Sequence, residues 1–108
     1  MQMTEPQLDR LFHALSDSTR RQILMRVREQ DETVNSIAAD FEISLPAVSK
    51  HLKVLEKAGL ISRRKEGQKR FCHAEPDMVN DALAWLAFYQ SFWNTRLDTL
   101  KSQMENDD

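Results

Sequence analysis

Two helical patterns separated by only three residues constrain the fold most strongly. The first spans residues 34–41, where apolar side chains share one helical face. The second spans residues 45–58. Ser44 can cap its amino end, and Gly59 suits the left-handed position that ends a helix. Two short helices joined by so tight a turn predict a helix-turn-helix arrangement.

The helix predicted over residues 45–58 has two different faces. Val48, Leu52 and Leu55 recur at a spacing that places them on one side, facing a core. The opposite side carries Pro46, Lys50, Lys53, Val54 and Lys57, with Ala47 and Ser49 on its flanks. Such a helix can lie in the major groove of DNA, with lysines near phosphates and its first turns near base edges. The candidate DNA contacts on this helix are Ser44, Pro46, Ala47, Ser49, Lys50, His51, Lys53 and Lys57.

A β-hairpin is predicted immediately after this helix. Residues 60–66 and 69–75 have the composition of strands, and the dipeptide Gly67-Gln68 separates them. Charged residues blur the alternation of the two runs, so a polar loop is the alternative. The candidate DNA contacts on the hairpin are Arg63, Arg64, Lys65, Gln68, Lys69 and Arg70.

Positive charge is concentrated in this part of the chain. Residues 45–70 contain eight Lys or Arg and two Glu, a net charge of +6, although the whole chain carries −2. Contact with phosphates depends on the local density of cations and not on the overall charge, so this cluster favours a nucleic-acid partner. The alternative is a solvated charged surface.

Two helices are predicted before this region. Residues 5–15 follow a helical pattern after Thr4. Ser16 or Asp17 can cap a second helix, because both side chains can accept a hydrogen bond from a first-turn amide. The second helix is expected to end near residues 29–31.

A long helix is predicted at the carboxyl end of the chain. After Pro76, Asp77 is the expected cap, and the helix continues to about Met104. Its apolar residues span roughly 220° of the circumference, whereas a single packing partner needs a stripe of about 100°. The excess width predicts a second partner for this helix.

The length of the chain bounds its organisation. With 108 residues, the chain is expected to form one domain over residues 1–108. It contains no apolar run long enough to cross a bilayer and no basic region followed by an apolar one at its start. We therefore expect a cytoplasmic protein with no membrane partner.

The sequence resembles the ArsR-type bacterial winged-helix regulators. The segments from Phe12 to Leu24 and from Ala47 to Ile61 carry the likeness, which extends over about residues 8–75. The resemblance implies a mainly α-helical winged helix-turn-helix fold, with residues 45–58 as recognition helix and the hairpin as wing. It also implies a homodimer that binds double-stranded DNA at an inverted-repeat operator and represses transcription.

By the same resemblance, the first and last helices form the dimer interface, over residues 5–15 and 77–104. The wide apolar stripe of the last helix independently requires such a partner. The candidate interface residues are Leu8, Leu11, Phe12, Trp85, Phe88, Tyr89, Phe92 and Trp93.

The metal ligands that many members of this family use are missing here. Those members sense metals through a Cys pair in the helix before the recognition helix, or through His and Asp in the last helix. Residues 34–41 contain neither Cys nor His, and residues 77–108 contain no His. Because soft metals need thiolate or imidazole ligands, we predict a metal-independent branch with no cofactor.

Three other functions are less well supported by the residues. An enzyme is not expected, because no Gly-rich phosphate loop, nucleophile motif or metal pair is present. A dimeric protein-interaction module would require the cation cluster to be incidental. A redox-responsive regulator would require a depressed pKa for Cys72, which the neighbouring Lys69 and Arg70 permit.

Overall fold

The computed structural model describes residues 3–106, which form five helices and a small sheet. The elements in chain order are α1 (Glu5–Leu15), α2 (Ser18–Glu29), β1 (Glu32–Thr33), α3 (Val34–Phe41), α4 (Leu45–Lys57), β2 (Ile61–Glu66), β3 (Lys69–Ala74) and α5 (Pro76–Glu105). The fold is the predicted mainly α-helical winged helix-turn-helix, with β2 and β3 forming the hairpin.

Side-chain caps set the starts of the first four helices. Thr4 forms a capping box with Gln7 at α1, and Asp17 accepts a 3.0 Å hydrogen bond from the Arg20 amide at α2. Thr33 and Ser44 accept from amides of the first turns of α3 and α4, respectively. The amino ends of the two helix-turn-helix helices are therefore fixed by local sequence.

The start of α5 differs from the prediction. Glu75 occupies the cap position without a side-chain cap bond, and Asp77 lies inside the first turn. Pro76 takes the first helical position because its fixed φ suits that position and it has no amide hydrogen to satisfy. The expectation that Asp77 caps this helix was wrong.

The two turns that bound α4 use left-handed backbone conformations. Glu42 ends α3 with φ 54°, which allows the Ile43 amide to donate to the Ala38 carbonyl at 3.2 Å. Gly59 follows α4 with φ 76°, as predicted, and a Cβ there would lie 3.0 Å from the Met78 side chain. Glycine is thus favoured at position 59 both by its conformation and by the close approach of α5.

Arginines of α2 bind the end of the preceding helix. Arg20 donates to the Ala14 carbonyl at 2.9 Å and to the His13 carbonyl at 2.8 Å, while Arg21 donates to Leu15 at 2.6 Å. Carbonyls at a helix end lack the usual amide four residues further on, and cations there also interact favourably with the helix dipole. The two arginines therefore fix the turn between α1 and α2.

The sheet has the antiparallel order β1-β3-β2. In the hairpin, Ile61 pairs with Ala74 and Glu66 with Lys69, which leaves Gly67 and Gln68 as the turn, as predicted. The two-residue strand β1 was not predicted. Two residues are too few to show a periodicity, and β1 pairs with β3, almost forty positions away.

A single hydrophobic core packs the helices α1, α2, α3 and α4 against the base of the hairpin. It contains Leu11, Ala14, Ile23, Val27, Ile37, Ala38, Val48, Leu52, Leu55, Ala58, Leu60, Ile61, Cys72 and Ala82. Ala82 is the only α5 residue among the buried side chains of the described part of the chain. None of the helices within residues 3–106 is both long and apolar enough to cross a membrane.

Helix α5 extends away from this core. A helix of 30 residues is about 45 Å long. The molecule measures 71 × 29 × 23 Å, and its radius of gyration is 19.0 Å, against about 13 Å for a compact chain of 100 residues. Much of α5 therefore has no covering surface within its own subunit.

Candidate DNA-binding surface

Helix α4 has the two faces that its sequence predicts. Val48, Leu52 and Leu55 are fully buried in the core, whereas Lys50 and Lys53 are exposed. Lys57, at the end of the helix, is exposed as well. The apolar face therefore fixes the orientation of α4, and the lysines project into solvent on the other side.

Two predicted positions on α4 face the protein more than expected. Val54 is half-buried and packs against the core, although the sequence places it on the outer face. His51 is also half-buried, with its Nδ1 3.9 Å from the carboxylate of Asp17. The helices and the hairpin packed around α4 cover not only its buried stripe but also part of the surface on either side of that stripe.

The carboxylate facing His51 is also the cap of α2. Its pKa is lowered, first because Asp17 accepts a hydrogen bond from the Arg20 backbone amide, and further by the charges of Arg20 and His51. Asp17 is therefore ionised at neutral pH. The contact directs His51 toward the start of α2.

A cleft joins α4 to the tip of the hairpin. It has a volume of about 440 Å³, and it brings together the first turns of α3 and α4 and the start of β3. The residues that line it are Thr33, Val34, Asn35, Leu45, Ser49, Gln68, Lys69 and Arg70. Four of these were predicted as DNA contacts from sequence, namely Ser49, Gln68, Lys69 and Arg70.

Three polar or exposed residues of this cleft were not predicted. Thr33 and Asn35 come from the start of α3, and Leu45 is the first residue of α4, with 49% of its surface exposed. A signal was available for Asn35, because a polar side chain in the first turn of a helix-turn-helix lies beside unpaired amides. No sequence pattern pointed to Leu45.

The six wing residues predicted to contact DNA fall into two groups. Lys65, Gln68, Lys69 and Arg70 are exposed, and no ion pair joins these three cations to another residue in the described range 3–106. Arg63 and Arg64, in contrast, pair with carboxylates of the same chain. The first group is therefore available to a phosphate without breaking a contact.

The two paired arginines attach the hairpin to other elements. Arg63 binds Glu56 of α4 at 3.2 Å. Arg64 binds Asp31 and Glu66 at 2.5 and 2.9 Å. A guanidinium held by carboxylates has fewer donors left for phosphate. The prediction that these arginines act like the exposed wing cations is thus not supported by their contacts.

A part-buried polar network holds α3 in place. Glu32 of β1, a buried residue, accepts hydrogen bonds from Arg26 at 3.2 Å, Ser36 at 3.2 Å and Gln30 at 3.3 Å. Arg26 also binds Asp40 near the end of α3. The bond from Arg26 is the main reason that the pKa of Glu32 is lowered. This network, which the sequence did not reveal, connects α2, β1 and α3.

Cys72 lies on β3 with its side chain fully buried. Burial raises the pKa of its thiol to about 11, because a thiolate would be poorly solvated there. A redox switch needs an exposed thiol with a low pKa. The structure therefore argues against the redox-responsive alternative.

The predicted dimer residues separate into buried and exposed sets. Leu8 and Leu11 are only 3% and 1% exposed within their own subunit, so they leave almost no surface for a partner, and this burial argues against their assignment to the interface. Helical spacing alone could not distinguish the subunit's own core from a partner. Phe12, Phe88, Tyr89, Phe92 and Trp93 are exposed, and Trp85 is half-buried.

The half-buried Trp85 and four exposed aromatic residues pack against one another. Trp85 meets Phe12 edge-on with ring centroids 6.0 Å apart and stacks on Tyr89 at 5.2 Å. Tyr89 and Phe92 each meet Trp93 edge-on. These contacts form a continuous aromatic surface along α1 and α5, which we call the aromatic strip (Phe12, Trp85, Tyr89, Phe92 and Trp93).

Known proteins with similar sequences are transcriptional regulators. Residues 17–63 match the family described as "Bacterial regulatory protein, arsR family". The chain is 35% identical over 79 residues to the transcriptional repressor SdpR of Bacillus subtilis, covering 73% of this chain and 88% of that protein. It is 34% identical over 61 residues to the transcriptional activator HlyU of Vibrio cholerae, covering 56% of each. These relatives are named as regulators and not as enzymes.

Solved structures agree with this relationship. An ArsR-like transcriptional regulator from Rhodococcus sp. RHA1 superimposes with a TM-score of 0.88 at 30% identity, over 98% of this chain and 100% of that one. The homodimeric winged helix-turn-helix DNA-binding domain Mb0332 from Mycobacterium bovis gives a TM-score of 0.65 at 26% identity, over 81% of this chain and 82% of that one. The chain therefore belongs to the ArsR family of bacterial regulatory proteins and is a DNA-binding transcriptional regulator with a winged helix-turn-helix fold.

Proposed function

We propose that this regulator is a metal-independent homodimer that binds an inverted-repeat operator and represses transcription by covering the promoter. The observation that carries the proposal is the presence of exposed cations on both α4 and the wing, the two elements whose residues line the cleft. Lys50 and Lys53 are exposed on α4, close in sequence to Ser49, which lines the cleft together with Lys69 and Arg70 of the wing. With α4 in the major groove, the wing would lie over the neighbouring sugar-phosphate backbone, and the strand between them would pass along the cleft.

In this proposal, α4 lies in the major groove. Its first turns carry the side chains that reach base edges, and Lys50 can donate two hydrogen bonds to a guanine. Contacts from Ser44, Pro46, Ala47 and Ser49 complete the base-reading end. Lys53 and Lys57 bind phosphates, and His51 supports the helix through its contact with Asp17. Lys65, Gln68, Lys69 and Arg70 of the wing bind the neighbouring backbone.

The aromatic strip supports the homodimer. Phe88, beside the strip, leaves 73% of its surface exposed, and a contiguous apolar surface of this kind marks an interaction site in a water-soluble molecule. A twofold dimer through α1 and α5 would cover the same surface on both subunits. The homodimeric relative Mb0332 has the same fold, which favours a second copy as the partner.

Repression and metal independence rest on different grounds. Repression follows the named role of SdpR, although HlyU is named as an activator. Metal independence rests on the absence of thiolate and imidazole ligands at the two family positions. Within residues 3–106, no three His, Cys, Asp or Glu side chains are grouped closely enough to hold a metal ion. The whole chain would act as one domain in the cytoplasm.

Selection of bound duplexes from random DNA tests the central claim. The expected result is a recurring inverted repeat whose half-sites are centred about 34 Å apart or a multiple of that distance, because both recognition helices must read one side of the duplex. A strong chelator or added zinc should change binding to the selected duplex by less than about twofold. Failure to enrich any sequence would favour the protein-interaction alternative, and zinc-dependent release would contradict metal independence.

A further inference from the structure

The carboxylate of Asp31 binds both strands of the wing. This residue lies between the end of α2 and β1. Its Oδ2 accepts a hydrogen bond from Arg64 of β2 at 2.5 Å, and its Oδ1 lies 2.7 Å from Nδ1 of His73 of β3. One side chain from outside the hairpin thus joins the two strands to each other and to the body of the protein.

Arg64 is held from several directions at once. Besides Asp31, its guanidinium donates to Glu66 at 2.9 Å and lies 5.2 Å from the centre of the Phe71 ring. Phe71 is also the residue that faces Arg64 across the hairpin. A planar guanidinium that meets two carboxylates and an aromatic face is oriented by all three. Arg64 therefore links Asp31 to the hairpin through several contacts at once.

Asp31 is negatively charged at neutral pH. Its pKa is lowered, first by the hydrogen bond with His73 and then by the bond with Arg64. The carboxylate is consequently ionised wherever DNA binding would be measured. By Coulomb's law alone, an anion at the base of a cationic wing weakens the attraction to phosphates.

Asp31 is also close in sequence to the helix-turn-helix. Only the two residues of β1 separate it from Val34, the first residue of α3. The same two residues pair with Cys72 and Phe71 of β3. At the other end of the wing, Lys69 and Arg70 line an open cleft beside α3 and α4. Asp31 is thus one of the groups that attach the wing beside α3, together with the β1–β3 pairing and the ion pair of Arg63 with Glu56 of α4.

We propose that Asp31 is a positioning residue of the DNA-binding surface, which fixes the wing against the helix-turn-helix by binding Arg64 and His73. Discrimination between operator and other DNA then depends on a carboxylate that does not itself contact DNA. The inference rests on the proposed function. If Asp31 acted only by repelling the phosphates of DNA, its removal would strengthen binding to every duplex and leave the discrimination between operator and other DNA unchanged.

The test compares Asp31→Asn with Glu66→Gln in the full-length protein. Both substitutions remove one negative charge beside Arg64. Glu66 lies on β2 itself, however, so its removal leaves the connection from the hairpin to the body intact. Fluorescence anisotropy would measure dissociation constants across a salt series, for the duplex selected from random DNA and for a scrambled duplex of equal length. Asp31→Ala, which removes both acceptor oxygens, is the second variant.

The expected result is a loss of discrimination in the Asp31 variants alone. Asp31→Asn should lower the ratio of scrambled to selected dissociation constants about fivefold, and Asp31→Ala at least as much, with scrambled binding unchanged or tighter. Glu66→Gln should leave the ratio within about twofold. Equal tightening of both duplexes by Asp31→Asn and Glu66→Gln, or an unchanged ratio in both Asp31 variants, would overturn the proposal. If the wild-type protein bound the selected and the scrambled duplex equally well, the proposed function itself would be contradicted.

Discussion

Helices α4 and α5 both carry apolar stripes, and they differ in how much of the stripe their own subunit covers. The stripe of α4 is entirely buried through Val48, Leu52 and Leu55. The stripe of α5 is mostly exposed. Its exposed large apolar side chains are Val79, Leu83, Leu86, Phe88, Tyr89, Phe92, Trp93, Leu97, Leu100 and Met104.

This difference in coverage suits the two helices to different kinds of partner. A helix whose apolar face is satisfied within the subunit can present its other face to a polar ligand, as α4 presents its lysines. A helix whose apolar face is left uncovered requires another apolar surface. The candidate DNA surface can thus be assembled by one subunit, whereas the exposed stripe of α5 would be covered in the proposed homodimer.

The largest expected effect comes from placing a charge on the uncovered stripe. Phe92→Asp should weaken dimerisation by at least about 2 kcal/mol, or roughly 30-fold, because the dimer would bury an unpaired carboxylate. Each subunit should stay folded, since Phe92 is 56% exposed in its own subunit. Sedimentation at micromolar concentration would show monomers for Phe92→Asp and dimers for wild type.

Asn94→Asp is the matched control for this change. It adds the same charge two residues further along α5, at an exposed polar position. The dimer should tolerate it. A monomeric wild type, or equal weakening of the dimer in both variants, would mean that α5 does not differ from α4 in the way described.

The next effect concerns the outer face of α4. Lys50→Ala should weaken binding to the selected operator by about 1 to 3 kcal/mol and binding to scrambled DNA by less, because Lys50 reaches base edges in the proposed complex. Anisotropy on the two duplexes measures the difference. Lys101→Ala removes an equal charge from the far end of α5 and should leave the ratio unchanged. If both variants lower the ratio alike, Lys50 acts only through net charge.

A third effect tests whether the network of Glu32 and Arg26, which connects α2, β1 and α3 within one subunit, stabilises the fold. Glu32→Gln should lower the free energy of unfolding by about 1 to 3 kcal/mol at pH 7, because Arg26 loses one of its two carboxylate partners, the one in the part-buried network. The folded-state pKa of Glu32 lies below its ordinary value of 4.5, so its contribution is present above that value and is lost as the pH falls through the lower folded-state pKa.

Urea unfolding of wild type and Glu32→Gln at several pH values provides the measurement. The difference between the two proteins should be constant near neutrality and shrink below pH 4.5. Operator binding and the dimer should persist in the folded variant. A difference that grows as the pH falls would contradict the lowered pKa.

Much of the fold was predictable because its signals are local. The caps at Asp17, Thr33 and Ser44, and the stop at Gly59, each lie within a few residues of the boundary they define. The hairpin was predictable from its Gly-containing turn. Short-range chemistry of this kind can be recognised in a sequence without knowledge of the tertiary contacts.

The features for which the sequence carried no signal depend on distant contacts. Arg64 could not be assigned to Asp31, which lies 33 positions away, and the exposed wing cations have the same residue types as the paired ones. Leu8 and Leu11 follow the pattern of an interface stripe but are covered by their own subunit. Residue type and spacing thus predicted which surface is cationic, while the partners of each cation required the tertiary structure.

The smallest expected effect separates two cations of the wing. Lys69→Ala should weaken binding to selected and scrambled duplexes similarly and reduce the salt slope by about one unit for each phosphate that a subunit no longer binds. Arg64→Ala should reduce the slope by less than half as much, because Asp31 and Glu66 already neutralise its charge. It should instead lower discrimination, since the link to Asp31 is broken. Anisotropy across a salt series measures both quantities. Equal slopes for the two variants would show that DNA displaces the carboxylates from Arg64 and that the paired and exposed cations of the wing act alike.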